Sequence, residues 1–395
     1  MALSAGERRP ARVLHVIEDL GFGGAEKLLV TLLPELSARG FLCEVASLGP
    51  RDDMAAPLRA AGLRVHQARL ASLKHAPRAL VWLAGVMRAG AYDLVHTHLT
   101  LANVYGRLAA RAAGVAATTT FHNTDYEPEV MADTAVRPWK LAPYRLAEWL
   151  TAVRGRPVVA VSEFVAASVH RRLGYARAAI EVIYNGVAPS LWEEVSDADR
   201  AAARRTLGLP PETQVVIQVG RLTAQKGQMH TVEAARRLRD RRRMRWILVG
   251  EGPLRPELEA AIARADLGAS VSLAGGRADV RTFLAAADLF VFPSRHEGLG
   301  IAVLEAMAAG LPVVAYGTGP LPEIVTGGET GTLVPPGDIE GLAGAVEALL
   351  ADPPRARAMG RRGREEVIRR FSIATAALRH AAFYARVLAP ERRRR

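Results

Sequence analysis

The chain has 395 residues, of which 50% are hydrophobic and 23% are charged, a balance typical of a folded globular protein. This length favours two or three domains. The single cysteine, Cys43, excludes an intramolecular disulfide and a zinc site built on thiolates. No apolar stretch reaches the ~20 residues needed to span a bilayer, and the first residues lack the pattern of a secretory signal. We therefore expect a cytoplasmic protein.

The formal net charge of +12 favours anionic partners such as phosphorylated ligands, anionic lipid or nucleic acid. Residues 1–190 contain 22 basic and 16 acidic side chains, and the remaining residues contain 30 and 24. Both parts therefore have the same excess of positive charge, and neither has the concentrated basic face of a nucleic-acid-binding module. We expect no nucleic-acid partner.

In the first half of the chain, short β-branched runs alternate with longer stretches rich in alanine, leucine and arginine. The short runs are apolar on both faces, which is typical of parallel strands covered by helices on both sides. Strands are predicted at Val13–Glu18, Glu44–Leu48, Leu94–His98, Ala117–His122, Pro157–Ser162 and Val182–Tyr184. Helices are predicted between them, for example at Gly24–Arg39, Pro77–Arg88 and Ala102–Ala113. The pair Asn185-Gly186 indicates a turn, and Ala188–Asp199 is predicted to be a linker.

The second half of the chain repeats this alternation. Strands are predicted at Val215–Gly220, Trp246–Val249, Val271–Leu273, Leu289–Pro293, Val313–Ala315 and Thr332–Val334. Helices are predicted at Gln228–Asp240, Pro256–Ala265, Ile301–Ala309 and Ile339–Leu350. The alternation predicts two doubly wound α/β domains, over residues 1–190 and 191–371. A last helical stretch, Ser372–Leu388, follows without another strand, so residues 372–390 are expected to pack back on the first domain. Ligands of such sheets bind beyond the carboxyl ends of the strands, so the crevice between the domains is the expected site.

The first predicted strand is followed by a glycine-rich segment, Leu20–Glu26, which opens the first helix. Glycines such as Gly23 and Gly24 let the backbone approach a phosphate, and a helix N-terminus adds N–H donors and a positive dipole end. A dinucleotide fingerprint would need a third glycine at the position of Glu26. The segment therefore predicts either a phosphate loop of another type or a tight turn between strand and helix.

The second domain opens in a similar way, because Val219–Gly227 runs from a strand into a helix. Its two cations, Arg221 and Lys226, lie between the strand end and the helix start. Such a pair can neutralise a diphosphate, arginine as a fork and lysine as a movable point charge. The alternative is that either cation is only a surface residue. Val249–Pro253 is another glycine-bearing strand exit, which either shapes the same crevice or forms a simple turn.

The most specific segment is Pro293–Pro312, which leaves a strand, crosses the glycine loop Gly298–Gly300 and enters a helix. Glu297 lies in the loop and Glu305 in the second turn of the helix, so both can face one ligand. Carboxylates accept hydrogen bonds from paired sugar hydroxyls, and two of them can hold two polyols. The alternative for Glu305 is a solvent-facing position on the helix.

The arrangement Glu297-x7-Glu305, with Gly298-Leu299-Gly300 between the acids, is similar to the signature of the retaining nucleotide-sugar glycosyltransferases of family four. These enzymes have the GT-B fold, in which two Rossmann-like domains face each other across a crevice. Further segments resemble the family in the same order, namely Gly23–Glu26, Val182–Val187, Val219–Leu222, Lys226-Gly227 and Gly331–Asp338. The resemblance covers nearly the whole chain.

The resemblance implies a role for each residue of the second domain. Arg221 and Lys226 would bind the donor diphosphate and stabilise the departing nucleoside diphosphate. Glu305 would hold the ribose hydroxyls. Glu297 would contact the transferred sugar, with the backbone N–H groups of Gly298–Gly300 near its hydroxyls and the phosphate.

In the first domain, the resemblance implies that the loop at Gly23-Gly24 closes over the phosphates. His122, at a strand end, matches the family's histidine near the sugar, and the alternative for it is a structural histidine. His96 and His98 alternate on one strand and therefore share a face. With no third ligand evident from the sequence, a structural role is favoured for them over a metal pair.

Neither a metal ion nor another cofactor is predicted, because cationic side chains replace Mg²⁺ in this kind of site and the nucleotide-sugar is a substrate. Asp197-Ala198-Asp199 nominally matches a D-x-D metal motif, but acids just before the helical run Arg200–Leu207 are expected to cap it. The segment Pro138–Arg154 combines aromatic and apolar residues with basic ones. It predicts an amphipathic helix that either packs on its own domain or lies on an anionic membrane.

Together these features predict a metal-independent hexosyltransferase that moves a sugar from a nucleotide-sugar donor to an acceptor hydroxyl with retention, in cell-envelope or polysaccharide biosynthesis. The acceptor is a glycan, a lipid-linked molecule or a small molecule. Two alternatives are a nicotinamide oxidoreductase, which the missing third glycine disfavours, and a non-catalytic sugar-nucleotide or lipid-surface binding protein. Inversion would need a general base, for which Asp125 and Glu127 are the best candidates in the first domain. A solvated or acceptor-contacting role is favoured for both.

Overall fold

The chain forms two units, which the computed structural model describes for residues 9–21, 23–71, 76–124, 126–127, 130, 138–188, 195–240, 243–277 and 279–389. The first unit holds the described residues within Met1–Glu127, Arg137–Gly186 and Ile373–Arg395. The second holds those within Pro128–Val136 and Val187–Ser372. The last helix is therefore part of the first unit, although the whole second unit precedes it in sequence.

In its described part, the first unit contains a seven-stranded sheet in which all paired strands are parallel. The strands are β1 (Ala11–Ile17), β2 (Phe41–Ser47), β3 (Arg64–Gln67), β4 (Leu94–His98), β5 (Ala116–Phe121), β6 (Val158–Ala160) and β7 (Ile180–Val182). Their order is β3-β2-β1-β4-β5-β6-β7, the doubly wound order of a Rossmann-like sheet. The sequence predicts six of these strands, with ends displaced by no more than three residues, and misses β3.

Helices cover both faces of this sheet. They are α1 (Gly24–Ser37), α2 (Ala55–Ala60), α3 (Ala76–Gly90), α4 (Thr100–Ala113), α5 (Pro138–Leu150), α6 (Glu163–Leu173) and α15 (Ile373–Leu388). The numbers between α6 and α15 belong to helices of the second unit. Leu14 and Val16 of β1 share a buried core with residues of α3 and α4. The residue between them, His15, points to the other face, where its ring lies 6.3 Å from that of Tyr384 in α15. The expected return of the last helix to the first half of the chain is thus what the structure has.

The second unit repeats the same design with six parallel strands in its described ranges. These are β8 (Gln214–Val219), β9 (Met244–Val249), β10 (Val271–Gly275), β11 (Leu289–Phe292), β12 (Val313–Tyr316) and β13 (Gly331–Val334), in the order β10-β9-β8-β11-β12-β13. The strand order reverses between β8 and β11, which are neighbours in the sheet. Ligands of doubly wound sheets bind at such a reversal.

The helices of the second unit lie on both sides of its sheet. They are α7 (Asp197–Thr206), α8 (Gln228–Arg237), α9 (Arg255–Arg264), α10 (Arg281–Ala286), α11 (Ile301–Ala308), α12 (Leu321–Ile324), α13 (Ile339–Ala351) and α14 (Pro353–Arg370). The expected cap on α7 is confirmed, because the Ser196 hydroxyl accepts a hydrogen bond from the Asp199 N–H and the Asp199 carboxylate accepts one from the Ser196 N–H. Of all helices in the described ranges, none is both long enough and apolar enough to cross a membrane.

Candidate active site

Two neighbouring strand ends in the second unit bring a lysine and a glutamate into contact. β8 leads through the 3₁₀ turn Ala224–Lys226 into α8, and β11 leads into the loop that carries Glu297. The Lys226 ammonium lies 2.5 Å from Glu297 Oε1 and 5.5 Å from the centre of the Phe292 ring. The Glu297 side chain is 8% exposed and that of Lys226 is 21% exposed. This ion pair is therefore largely shielded from water. A charge interaction is stronger in such a shielded position than at the protein surface.

Hydrogen bonds hold the loop of Glu297 against the 3₁₀ turn. The Ser294 hydroxyl donates to Glu297 Oε1 at 2.6 Å, so this oxygen has two partners. The Gln225 side-chain amide donates to the His296 carbonyl at 2.7 Å, and the Arg295 N–H donates to the Gln225 carbonyl at 2.8 Å. The carboxylate is thus held in place before any ligand arrives. The sequence reasoning missed Ser294 and Gln225, because single polar residues in turns carry no pattern.

Two glycines let the strand exits approach one another closely. Gly227 has a φ of +69°, and a side chain there would place its Cβ 2.1 Å from the Pro293 carbonyl oxygen. Gly250 has a φ of +152°, and its Cβ would lie 2.0 Å from the Gly220 carbonyl oxygen. The exit of β9 therefore packs directly on the segment that begins with Gly220. Of the two alternatives for Val249–Pro253, the structure favours the one in which this segment shapes the candidate site.

The other predicted residues of this unit lie on the same two segments. Arg221 is exposed, and no described side chain forms an ion pair with its guanidinium; its carbonyl accepts a hydrogen bond from the Gln228 amide at 2.9 Å. Gly300, with a φ of +97°, precedes α11, and Glu305 lies half-buried in the second turn of this helix. The contact of Glu305 with a ligand therefore stays a prediction.

In the first unit, the predicted phosphate loop contains a buried carboxyl group. Gly23 is the N-cap of α1, and a Cβ at Gly23 would lie 2.2 Å from Glu26 Oε2. The Glu26 side chain therefore folds back over Gly23, at the N-terminus of α1. Burial, with the charges of Asp19 and Glu18 adding to it, raises the pKa of Glu26 to about 7. The raised pKa favours the neutral form of this group, which lessens its repulsion of an anion.

His122 follows β5 and is bonded to a further histidine. Its Nε2 lies 3.0 Å from His98 Nδ1, and His98 Nε2 lies 3.0 Å from His15 Nδ1. Burial, with the nearby His380, holds the pKa of His15 and of His122 down to about 3. His122 also lines a small cavity of about 20 Å³.

His96 lies within the same buried group of rings. Its Nδ1 lies 2.6 Å from the Tyr384 hydroxyl and its Nε2 lies 2.7 Å from Thr120 Oγ1. The sequence showed no third ligand beside His96 and His98, but the structure has one: a ring nitrogen of His15 comes within 4.8 Å of one in each of the other two. The expectation that no third histidine lies near this pair is therefore wrong. His96 and His98 lie on β4, whereas His15 comes from the neighbouring strand β1.

The two carboxylates considered as bases for inversion have different outcomes. Asp125 lies outside the described residues. Glu127 is buried and accepts hydrogen bonds from Arg171 and Arg172 at 2.8 Å each. Burial alone would raise its pKa, but the hydrogen bonds from Arg172, Ser168 and Arg171 outweigh it and lower the pKa. The expected solvated role is wrong for Glu127, which is buried and holds the loop to α6, and the acceptor-contacting role stays a prediction.

Comparisons with known proteins match both units. The profile of glycosyl transferases group 1 matches residues 199–366, and that of Glycosyltransferase Family 4 matches residues 22–191. Two Rossmann-like sheets, with the charged residues gathered at strand ends, define the GT-B class of sugar-transferring enzymes. The chain belongs to glycosyltransferase family 4.

Individual relatives agree with this assignment. The 2-deoxystreptamine glucosyltransferase of Streptomyces kanamyceticus is 34% identical over 79% of this chain and 84% of its own length. The alpha-maltose-1-phosphate synthase of Mycolicibacterium smegmatis is 33% identical over 80% of this chain and 86% of its own length. Among solved structures, Anabaena Alr3699/HepE in complex with UDP is 25% identical over 95% of this chain and 100% of its own, with a TM-score of 0.81.

Proposed function

We propose that this glycosyltransferase moves a hexose from a nucleoside diphosphate sugar to an acceptor hydroxyl, with retention of anomeric configuration and without a metal ion. The observation that carries the proposal is the Lys226–Glu297 pair at the sheet's reversal point, held by Ser294 and continuous with the exposed Arg221. It offers cations for a diphosphate and a carboxylate for sugar hydroxyls on adjoining segments.

Lys226 and Arg221 are proposed to bind the donor diphosphate and to stabilise the charge that develops on it as the bond to the sugar breaks. Glu297 neutralises Lys226, so this partly buried ammonium is not left unpaired. A bound diphosphate then replaces Glu297 as the ion-pair partner of Lys226, and Glu297 accepts hydrogen bonds from the transferred sugar. Glu305 is proposed to hold the ribose hydroxyls, next to the glycine loop Gly298–Gly300.

A glucosyl donor carried on UDP is the form that the comparisons support best. The Anabaena protein Alr3699/HepE has been solved with UDP and with UDP-glucose. The Streptomyces relative is named a glucosyltransferase. We infer that a UDP-hexose is the first donor to be tested, with other bases as alternatives.

Retention is proposed to follow from a same-face displacement. The bond from the anomeric carbon to the phosphate oxygen breaks, the bond to the acceptor oxygen forms on the same face, and the departing phosphate takes the acceptor proton. The engagement of Glu127 with two arginines leaves that carboxylate unsuited as the base that inversion needs. Positioning and charge stabilisation then supply the catalysis.

We also propose that α5 rests on an anionic membrane surface. Trp139, Leu146 and Leu150 are 65%, 55% and 64% exposed, and their spacing of seven and eleven residues places them on one helix face. Arg154 lies over the ring of the half-exposed Trp149, with its guanidinium carbon 4.3 Å from the ring centre. An exposed apolar face with adjoining cations fits anionic lipid. Binding to phosphatidylglycerol vesicles that is absent with phosphatidylcholine, and weakened by a Leu146→Ser/Leu150→Ser variant, is the expected result.

The donor is tested by a thermal-shift panel of UDP-, GDP-, ADP- and TDP-sugars and NAD. A true donor at 100 times its Kd adds about 2.7 kcal/mol to the free energy of unfolding, whereas NAD is expected to add none. Transfer is then measured with EDTA and by NMR of the first product formed. Full activity in EDTA and an α-linked product from an α-linked donor are expected. A β-linked product, or activity that returns only with Mg²⁺ or Mn²⁺, contradicts the proposal.

A further inference from the structure

Three buried histidines form a hydrogen-bonded series from β1 to the end of β5, and we call His15, His98 and His122 the histidine chain. The two nitrogen-to-nitrogen distances, from His15 to His98 and from His98 to His122, are both 3.0 Å. His15 and His98 are at most 1% exposed, and His122 is 9% exposed. The proposed function gives the first two residues no role, yet burying their polar rings has a cost that hydrogen bonds must offset.

The rings of the histidine chain are neutral at physiological pH. Burial, with neighbouring histidines adding to it, lowers the pKa of all three well below the usual range. A neutral imidazole has one N–H donor and one bare nitrogen acceptor. Each hydrogen bond between two rings needs one protonated nitrogen and one bare nitrogen. The proton position in one ring therefore fixes the proton position in the next ring of the histidine chain.

Only two directions satisfy both hydrogen bonds. In the first, His15 donates to His98 and His98 donates to His122, which leaves the proton of His122 on Nδ1. In the second, His122 donates to His98 and His98 donates to His15, which leaves the proton of His15 on Nε2. That atom is buried and has no hydrogen-bond partner among the described residues. A buried N–H without an acceptor is rare and costly, so the first direction is favoured.

We propose that His15 and His98 are positioning residues that fix His122 as its Nδ1–H tautomer, so that its open edge presents an N–H donor to a ligand oxygen. Nδ1 of His122 has no partner in the described part of the chain. The ligand group is an acceptor oxygen, from either a sugar hydroxyl or a phosphate. This ligand half rests on the proposed function, whereas the assignment of the tautomer does not.

The same rings raise the alternative of a zinc site formed by His15, His96 and His98. The rings of His96 and His98 are stacked, with their centres 4.4 Å apart and their planes at 28°. Stacked rings do not direct their in-plane lone pairs at one ion. Both nitrogens of His96 are already bonded, to Tyr384 and Thr120. The geometry thus favours the hydrogen-bonded chain, and zinc becomes an outcome of the test.

The test uses the full-length protein labelled with ¹⁵N-histidine and long-range ¹H–¹⁵N NMR, which reports which ring nitrogen carries the proton; loss of a signal in His122→Gln assigns that ring. Wild type is expected to show His122 protonated on Nδ1. His15→Leu removes the first donor, so a mixed tautomer and a kcat about tenfold lower are expected. His15→Asn retains an N–H near the original position and is expected to restore both.

Tyr384→Phe is the matched control, because it removes a hydrogen bond from the same buried cluster and leaves the histidine chain intact. Wild-type tautomer and kcat are expected. Titration with UDP and then with UDP-glucose separates the two oxygen sources: a shift of the His122 signal with UDP assigns the phosphate, and a shift with UDP-glucose alone assigns a sugar hydroxyl.

Protonation of His122 on Nε2 in the wild type, or the same tautomer and kcat in His15→Leu as in the wild type, would overturn the proposal. One zinc per purified chain that is lost in His15→Leu would also overturn it, because the metal would then hold the lone pairs. Wild-type transfer by His122→Gln refutes the ligand half alone. A protein that transfers no sugar refutes the proposed function, and the NMR result still decides the tautomer.

Discussion

Replacing Glu297 with glutamine is expected to tighten UDP binding while slowing sugar transfer. The carboxylate both neutralises Lys226, at 2.5 Å, and adds a negative charge beside any bound phosphate. A hydrogen bond to a charged group contributes ~1.5–3 kcal/mol. Because Lys226 is 21% exposed, water screens part of this interaction, and we take the lower end. About 1.5 kcal/mol corresponds to a Kd for UDP that is roughly tenfold lower.

Isothermal titration with UDP and a turnover assay on the same preparation measure the two effects. Ser294→Ala is the control, because it removes a hydrogen bond to the same oxygen and retains both charges. Its UDP affinity is expected to stay within about threefold of the wild type. Unchanged or weaker UDP binding in Glu297→Gln would refute the idea that the glutamate competes for the lysine.

Lys226→Ala and Arg221→Ala are each expected to slow transfer by roughly 10²-fold or more, since each removes a charge aimed at the leaving diphosphate; wild-type turnover in either would contradict the phosphate site. Glu305→Ala is expected to raise the Kd for UDP more than it lowers kcat, and an unchanged Kd by titration would exclude its contact with the ribose. Burial holds the pKa of His15 and His122 at about 3 in the folded protein, against 6.5 for an ordinary histidine. The contribution of these two histidines to the free energy of unfolding is therefore complete above pH 6.5. It falls between pH 6.5 and pH 3, because only the unfolded chain takes up protons in that range. Each such histidine is expected to lower the free energy of unfolding by about 2 kcal/mol between pH 7 and pH 5. Urea unfolding of the wild type and His15→Leu at both pH values measures this, and equal slopes with pH in the two proteins would contradict it.

Strands that are buried on both faces could be predicted from the sequence, because a continuous apolar run between turn residues has few other interpretations. The bounds of Leu94–His98 are the same in sequence and structure. The edge strand Arg64–Gln67 was missed because it is short, polar and only partly buried. The helix Pro353–Arg370 was missed because arginines dominate its sequence, and its buried face consists largely of small residues such as Ala356 and Gly360.

The candidate site was predictable as a set of residues but not as a set of contacts. Lys226 and Glu297 are 71 residues apart, and they meet because β11 lies beside β8 in the sheet. The order of the segments along the chain does not predict that β8 and β11 are neighbours in the sheet. The histidine chain depends likewise on the parallel register of β1 and β4, which pairs His15 with His96 and places His98 two residues further.

The return of α15 to the first unit determines the order in which the two units can be finished during synthesis. α15 supplies the fully buried Phe383 and the Tyr384 hydroxyl that bonds His96. The ribosome makes about 190 residues between Gly186 and this helix, which takes roughly 10 to 40 s at usual elongation rates. Through that interval the second unit can close, while the first waits without the helix that covers the histidine rings on one face of its sheet. A stop codon shortly after Ser372 is therefore expected to damage the unit made first and to spare the unit made second.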